Sequence, residues 1–102
     1  MIFETLYESA QRGELLLVTG GMCHWHLRRN GQVTIREIIS IRRGAGSEML
    51  HTLKQTPGAT SLFAKCPVDL AANDWYEHCG FADVGRETTK SGRELRLWRL
   101  SI

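Results

Sequence analysis

The sequence predicts one α/β (α+β) domain over residues 1–102, in which hairpin-linked strands alternate with helices. Three observations carry that prediction. Asn30-Gly31 and Lys90-Ser91-Gly92 each separate two strand-like runs, the pattern of a tight hairpin. A β-branched run ending at Ile41 meets Arg42-Arg43 and Gly44-Ala45-Gly46 before helix-like spacing begins. That is a strand feeding a helix through a loop with almost no side chains. Finally, Ala72, Trp75, Tyr76 and Cys79 recur at helical spacing, with Gly80 placed to end the helix.

Taken in order, residues 2–11 put Ile2, Phe3, Leu6, Tyr7 and Ala10 on one helical face, and Gly13 ends that helix. Residues 15–18 read as a short apolar strand, interrupted by Gly20-Gly21 and resumed over 22–28. Residues 33–41 pair back through the Asn30-Gly31 turn. A helix opens at Gly44 with Met49, Leu50 and Leu53 as its buried stripe, and Pro57-Gly58 breaks the chain. Residues 61–66 form a strand, Pro67 precedes the helix of Tyr76, and residues 81–87 and 93–100 close as a hairpin.

Composition narrows the class. Charged residues are 24% and apolar ones 42% of the 102, an ordinary globular balance. No apolar run approaches the roughly 18 residues of a membrane span. The N-terminus lacks the basic start and apolar centre of a signal peptide, so a cytoplasmic location and no membrane partner are expected. Cys23, Cys66 and Cys79 are odd in number and contain no Cys-x-x-Cys pair, which fits reduced thiols. A net charge of +2 does not demand a nucleic-acid partner, yet Arg28, Arg29, Arg36, Arg42 and Arg43 are crowded together and suit a polyanionic ligand.

The junction at residues 37–50 carries the first functional reading. A helix N-terminus after a glycine-rich turn points unpaired N–H groups at one spot and adds partial positive charge. Gly44 and Gly46 allow a close approach to the backbone, and Arg42 and Arg43 add full charges. A phosphate or pyrophosphate site is expected over residues 42–47.

Read together, the two segments resemble the GNAT superfamily of acyl-CoA-dependent N-acyltransferases over roughly residues 14–100. The family's phosphate loop, Gln/Arg-x-x-Gly-x-Gly/Ala, is met at Gly44 and Gly46, with Ile41 where Gln or Arg is usual. Its later helix, Asn-x-x-Ala-x-x-x-Tyr-x-x-x-Gly-Phe, is met at Ala72, Tyr76, Gly80 and Phe81, with Asp69 replacing the Asn. The resemblance implies a mixed, mostly antiparallel sheet flanked by helices and shortened at its N-terminus. It implies an N-acetyltransferase that moves an acyl group, by expectation acetyl, from acetyl-CoA to an amine. Shortness suggests a phage or prophage member.

The site residues follow from the same resemblance. Ile39, Ser40, Ile41, Arg42, Arg43, Gly44, Ala45, Gly46, Ser47 and Asn73 are expected to contact the cofactor, with a free strand N–H near residues 38–40 for the thioester oxygen. Tyr76 is the expected general acid, since a phenol near pKa about 10 can protonate a thiolate of similar basicity. Glu37 is the expected general base, sharing a strand face with Ile35 and Ile39. His24 and His26 share another strand face without an evident third ligand, so no metal is expected. Alternatives are a CoA-binding or protein-interaction module without catalysis, or an enzyme acting on nucleic-acid bases. A homodimer is expected, because a strand at 15–18 leaves an unprotected sheet edge and Trp98 on the last strand offers a second apolar contact.

Overall fold

The computed structural model describes residues 2–102, with the side chains of residues 2, 3, 6 and 9 outside the description. The elements run α1 (Ile2–Gln11), β1 (Leu15–Val18), β2 (Gly21–Leu27), β3 (Gln32–Ser40), α2 (Ala45–Lys54), β4 (Ser61–Pro67), α3 (Ala72–His78), β5 (Ala82–Thr88) and β6 (Glu94–Ser101). Each expected element is present, with ends moved by a residue or so. β3 is rich in Val, Thr and Ile, which suit a pleated, half-buried surface.

The six strands lie in the order β1-β2-β3-β4-β6-β5. Four of the neighbouring pairs are antiparallel, and only β3 and β4 run parallel. A helical crossover is what joins parallel neighbours, and α2 supplies it. The β3–β4 pairing is short. It covers residues 32–35 against 61–64, whereas β3 stays paired to β2 through Ser40 and β4 stays paired to β6 through Pro67. Beyond Ile35 and Ala64 the two strands therefore part, leaving a wedge-shaped gap inside the sheet.

Both later helices pack on one face of the sheet. Met49, Leu50 and Leu53 of α2 and Tyr76 of α3 join Cys23, Val33, Ile35, Leu62, Ala64, Cys66, Phe81 and Trp98 in one buried cluster. Residues between these along each strand point to the opposite face. There stand His26, Thr34, Phe63, Lys65 and Leu97.

Two expectations change here. Alternation along β3 was expected to place Glu37 with Ile35. The register instead skips Arg36 between the pairs Trp25↔Ile35 and His24↔Glu37, so β3 carries a bulge. The extra residue reverses the alternation, and Glu37 lies opposite His24 on the face away from Ile35. Trp98, expected to offer apolar surface to a second copy, is 1% exposed and belongs to the core. β1 is an edge strand with Leu17 exposed. The apolar face of α1 rests on Ile2, Phe3 and Leu6, whose side chains lie outside the described residues.

Candidate functional site

A cleft of about 590 Å³ lies on the helical side of the gap. Ile38 and Ser40 of β3 form its floor. Arg42, Arg43, Gly44, Gly46 and Ser47 form one wall, and Ala72, Trp75 and His78 of α3 form the other. Its backbone is under-satisfied. Gly44 is the N-cap of α2 at φ 86°, the left-handed region, with no side chain capping the helix. The first closing bonds are Ala45 N–H to the Arg42 carbonyl (3.1 Å) and Glu48 N–H to the Gly44 carbonyl (3.0 Å). Among the described residues the N–H groups of Gly44, Gly46 and Ser47 have no acceptor. Three free donors and a helix dipole converge on the cleft, the arrangement that binds a phosphate oxyanion.

The two glycines have different physical reasons. A side chain on Gly44 would meet nothing within 4 Å, so only its backbone angle demands glycine. Gly46 has ordinary helical angles, but a Cβ there would stand 2.7 Å from Cζ2 of Trp75. The first turn of α2 and α3 meet at that point, and glycine lets them meet.

The expected cofactor residues divide. In an antiparallel pair, successive residues turn their N–H and C=O groups to opposite neighbours. The Ile41 N–H donates to the Gly20 carbonyl (2.8 Å), so Ile41 and Ile39 face β2. Ile38 and Ser40 face the gap, where β4 no longer pairs. The expected strand donor thus falls to Ile38 or Ser40, and Ile39 and Ile41 are turned away. Arg42 is also committed elsewhere. Its Nε donates to the Thr19 carbonyl (2.7 Å) and its Nη2 to Glu48 (2.6 Å), which ties the β1–β2 turn to α2. Arg43 has no carboxylate partner among the described residues and remains the available cation.

Asn73 is positioned otherwise than a cofactor ligand would be. It is buried, its amide nitrogen donates to the carbonyls of Pro67 and Leu70 (both 2.8 Å), and its oxygen accepts from Trp98 Nε1 (2.9 Å). The residue fixes α3 to the end of β4 and to β6. Both amide N–H donors that a cofactor oxygen could use are taken.

Tyr76 is 5% exposed and does not line the cleft. Its ring meets Trp75 and Phe81 edge-on at 5.1 and 5.2 Å and stacks on Trp98 at 6.3 Å. Among the described residues no hydrogen bond holds its hydroxyl, and no buried side-chain polar atom lacks a partner, so the hydroxyl is not sealed from solvent. Burial pushes its pKa well above the ordinary phenol value, and the nearby thiols of Cys66, Cys23 and Cys79 add to the rise. The phenol keeps its proton across the neutral range. Burial likewise lifts the Cys23 thiol to about 12 and raises Cys66, which disfavours the nucleophilic thiolate at both.

Glu37 lies across the sheet from Tyr76, half-buried, with no hydrogen bond to its carboxylate among the described residues. On that second face His26 pairs with Glu14. Sequence reasoning missed Ala72, Trp75 and His78 as cleft residues. Their spacing on one helix was visible, but not which loop they would oppose.

The fold is shared by known structures. A provisionally named streptothricin acetyltransferase from Bacillus anthracis, solved with acetyl coenzyme A, matches 95% of this chain and 68% of its own at 19% identity and TM-score 0.76. The ribosomal-protein-S18-alanine N-acetyltransferase of Escherichia coli matches 97% of this chain and 76% of its own at 19% identity and TM-score 0.69. A GNAT-family acetyltransferase from Desulfovibrio desulfuricans matches 80% and 60% at 16% identity and TM-score 0.61. The chain has the GNAT fold. No family model matches the sequence, and no curated protein matches it significantly. No helix among the described residues is long and apolar enough to cross a membrane.

Proposed function

We propose that this protein is an acyl-CoA-dependent N-acyltransferase that moves an acetyl group from acetyl-CoA to an amine. The observation that carries the reading is the gap between β3 and β4, which opens into a cleft walled by the free N–H groups of α2. GNAT-fold neighbours include one solved with acetyl-CoA. In this reading the N–H groups of Gly44, Gly46 and Ser47, with Arg43, hold the diphosphate. Acetyl-CoA brings the activated thioester. A gap-facing N–H of Ile38 or Ser40 donates a hydrogen bond to the acyl oxygen as negative charge develops on it.

The two faces divide the proton transfers. The amine approaches from the second face, where the Glu37 carboxylate takes its proton. The new bond joins nitrogen to the acyl carbon, the carbon–sulfur bond breaks, and Tyr76 gives its hydroxyl proton to the departing sulfur. The raised phenol pKa keeps the hydroxyl protonated across the neutral range, and it also makes Tyr76 a weaker acid toward the thiolate than an ordinary phenol.

A second reading, a CoA-binding module without catalysis, draws on the deep packing of Tyr76 and on the engagement of Arg42 within the fold. Calorimetry with acetyl-CoA, followed by detection of free thiol over a panel of amines, separates the two. Binding with thiol release supports the enzyme, and binding without release supports the module. Absence of binding at millimolar acetyl-CoA overturns both.

A further inference from the structure

On the second face, the gap opens between two cations. Ile35 and Ala64 are the last paired residues of β3 and β4, and the next residue on each strand is Arg36 and Lys65. With His26, Arg28, Gln32, Thr34 and Phe63 they line a separate cleft of about 310 Å³. The bulge in β3 is what turns Arg36 into this cleft beside Thr34. Gln32 Nε2 donates to the Thr34 hydroxyl oxygen (3.0 Å), which sets two neutral polar groups at the floor.

We propose that the acceptor is an amine borne on a small anionic molecule, whose phosphate or carboxylate is held by Arg28, Arg36 and Lys65. This rests on the N-acyltransferase reading. Arg28 and Arg36 have no carboxylate partner among the described residues. Lys65 pairs with Glu87 at 2.7 Å, but both are about half exposed, so that pair yields readily to a better ligand. Arginine forks match oxyanions bidentately. The cleft volume sits at the small end of roughly 300–1,000 Å³ for small-molecule sites. A nucleic-acid strand fits less well, since stacking platforms use exposed aromatics and Phe63, the one aromatic in the cleft, is half-buried. The same cations serve the chemistry. Positive charge beside an amine favours its neutral, nucleophilic form, and it repels polycationic acceptors.

The test is an NMR titration of the full chain, without CoA, using 2-aminoethyl phosphate, 3-aminopropanoate and ethanolamine. The two anionic amines should bind at least about tenfold more tightly than ethanolamine, with amide shifts centred on residues 32–36 and 63–65. Arg36→Glu should remove that preference and Arg36→Lys should keep part of it. Lys90→Glu, the same charge change in the β5–β6 turn, should leave it intact. Equal affinity for all three amines overturns the proposal, as does a preference that survives Arg36→Glu. Displacement of the anion by CoA also overturns it, because the anion would then occupy the cofactor cleft. So does Arg36-dependent binding of a single-stranded oligonucleotide with no binding of the small amines. A separate CoA titration reads the acyltransferase proposal on its own. Failure there, with the anion preference intact, sinks that reading and leaves the anion site standing.

Discussion

The two clefts on either side of the strand gap are built from different materials. The cleft on the helical side takes its free hydrogen-bond donors from the main chain: N–H groups at the start of α2 and gap-facing groups on β3, with Gly46 letting α2 and α3 meet. The cleft on the other face is side chains from and beside three strands, His26 on β2 and Arg28 just past its end, Gln32, Thr34 and Arg36 on β3, and Phe63 and Lys65 on β4. A main-chain site recognises a shape common to many ligands. A side-chain site can be altered one residue at a time without disturbing the sheet. The first suits an invariant cosubstrate and the second a variable acceptor.

Tyr76 is where that contrast can be broken most severely, because it belongs to the core and to the proposed chemistry. Tyr76→Ala should cost about 3–5 kcal/mol, as other large-to-small aromatic truncations do. In a domain this size 1 kcal/mol moves the midpoint by about 4–8 °C, so thermal unfolding would show it directly. Tyr76→Phe should leave stability within about 0.5 kcal/mol, since the hydroxyl makes no hydrogen bond among the described residues. Turnover should nevertheless fall about 10²-fold. Unchanged turnover in the phenylalanine variant would assign Tyr76 to packing alone.

A smaller effect is expected where the main-chain cleft meets α3. Gly46→Ala places a Cβ against Trp75 and should cost about 1–3 kcal/mol through overpacking. It should also weaken acetyl-CoA binding, measured by calorimetry. Trp75→Leu should lower the cost of Gly46→Ala, so the double mutant is less destabilised than the sum of the singles. Strict additivity would show that the contact does not shape the cleft. Gly44→Ala meets no atom and pays only for its left-handed backbone, about 1–2 kcal/mol, which Trp75→Leu should not relieve.

The same contrast explains what could be read from the sequence. The α2 junction was legible because its parts are contiguous: a β-branched run, two glycines and an apolar helical stripe. The helix of Tyr76 was legible from spacing that ends at Gly80. The side-chain cleft was not, because it depends on register between strands and on one unpaired residue. Alternation along residues 33–41 predicts Glu37 beside Ile35, and the bulge at Arg36 reverses it. Nothing in Ile35-Arg36-Glu37 marks a bulge. Burial of polar groups was equally hidden. Asn73 is expected from the sequence to contact the cofactor, yet its amide joins Pro67, Leu70 and Trp98.

The smallest expected effect tests the bulge itself. His24 is buried on the second face, and its pKa is held below the usual imidazole value by burial first and then by the charge of Arg36. Arg12 acts in the same direction, while Glu14 and Glu37 oppose it. The folded state therefore favours neutral His24. Its contribution to stability is present above the unfolded value of about 6.5 and is lost as pH falls through the lower folded value. The wild-type protein should lose stability on acidification in that window. Arg36→Gln removes one of the opposing charges, so His24 should titrate at a somewhat higher pH and the acid loss of stability should shrink. An NMR titration of the His24 imidazole in both proteins reads this. If Arg36 pointed to the face of Ile35, the sheet would screen it from His24 and the titration would not move. An upward shift confirmed alongside unchanged behaviour of Lys90→Gln would place Arg36 beside His24, on the face where the acceptor is proposed to bind.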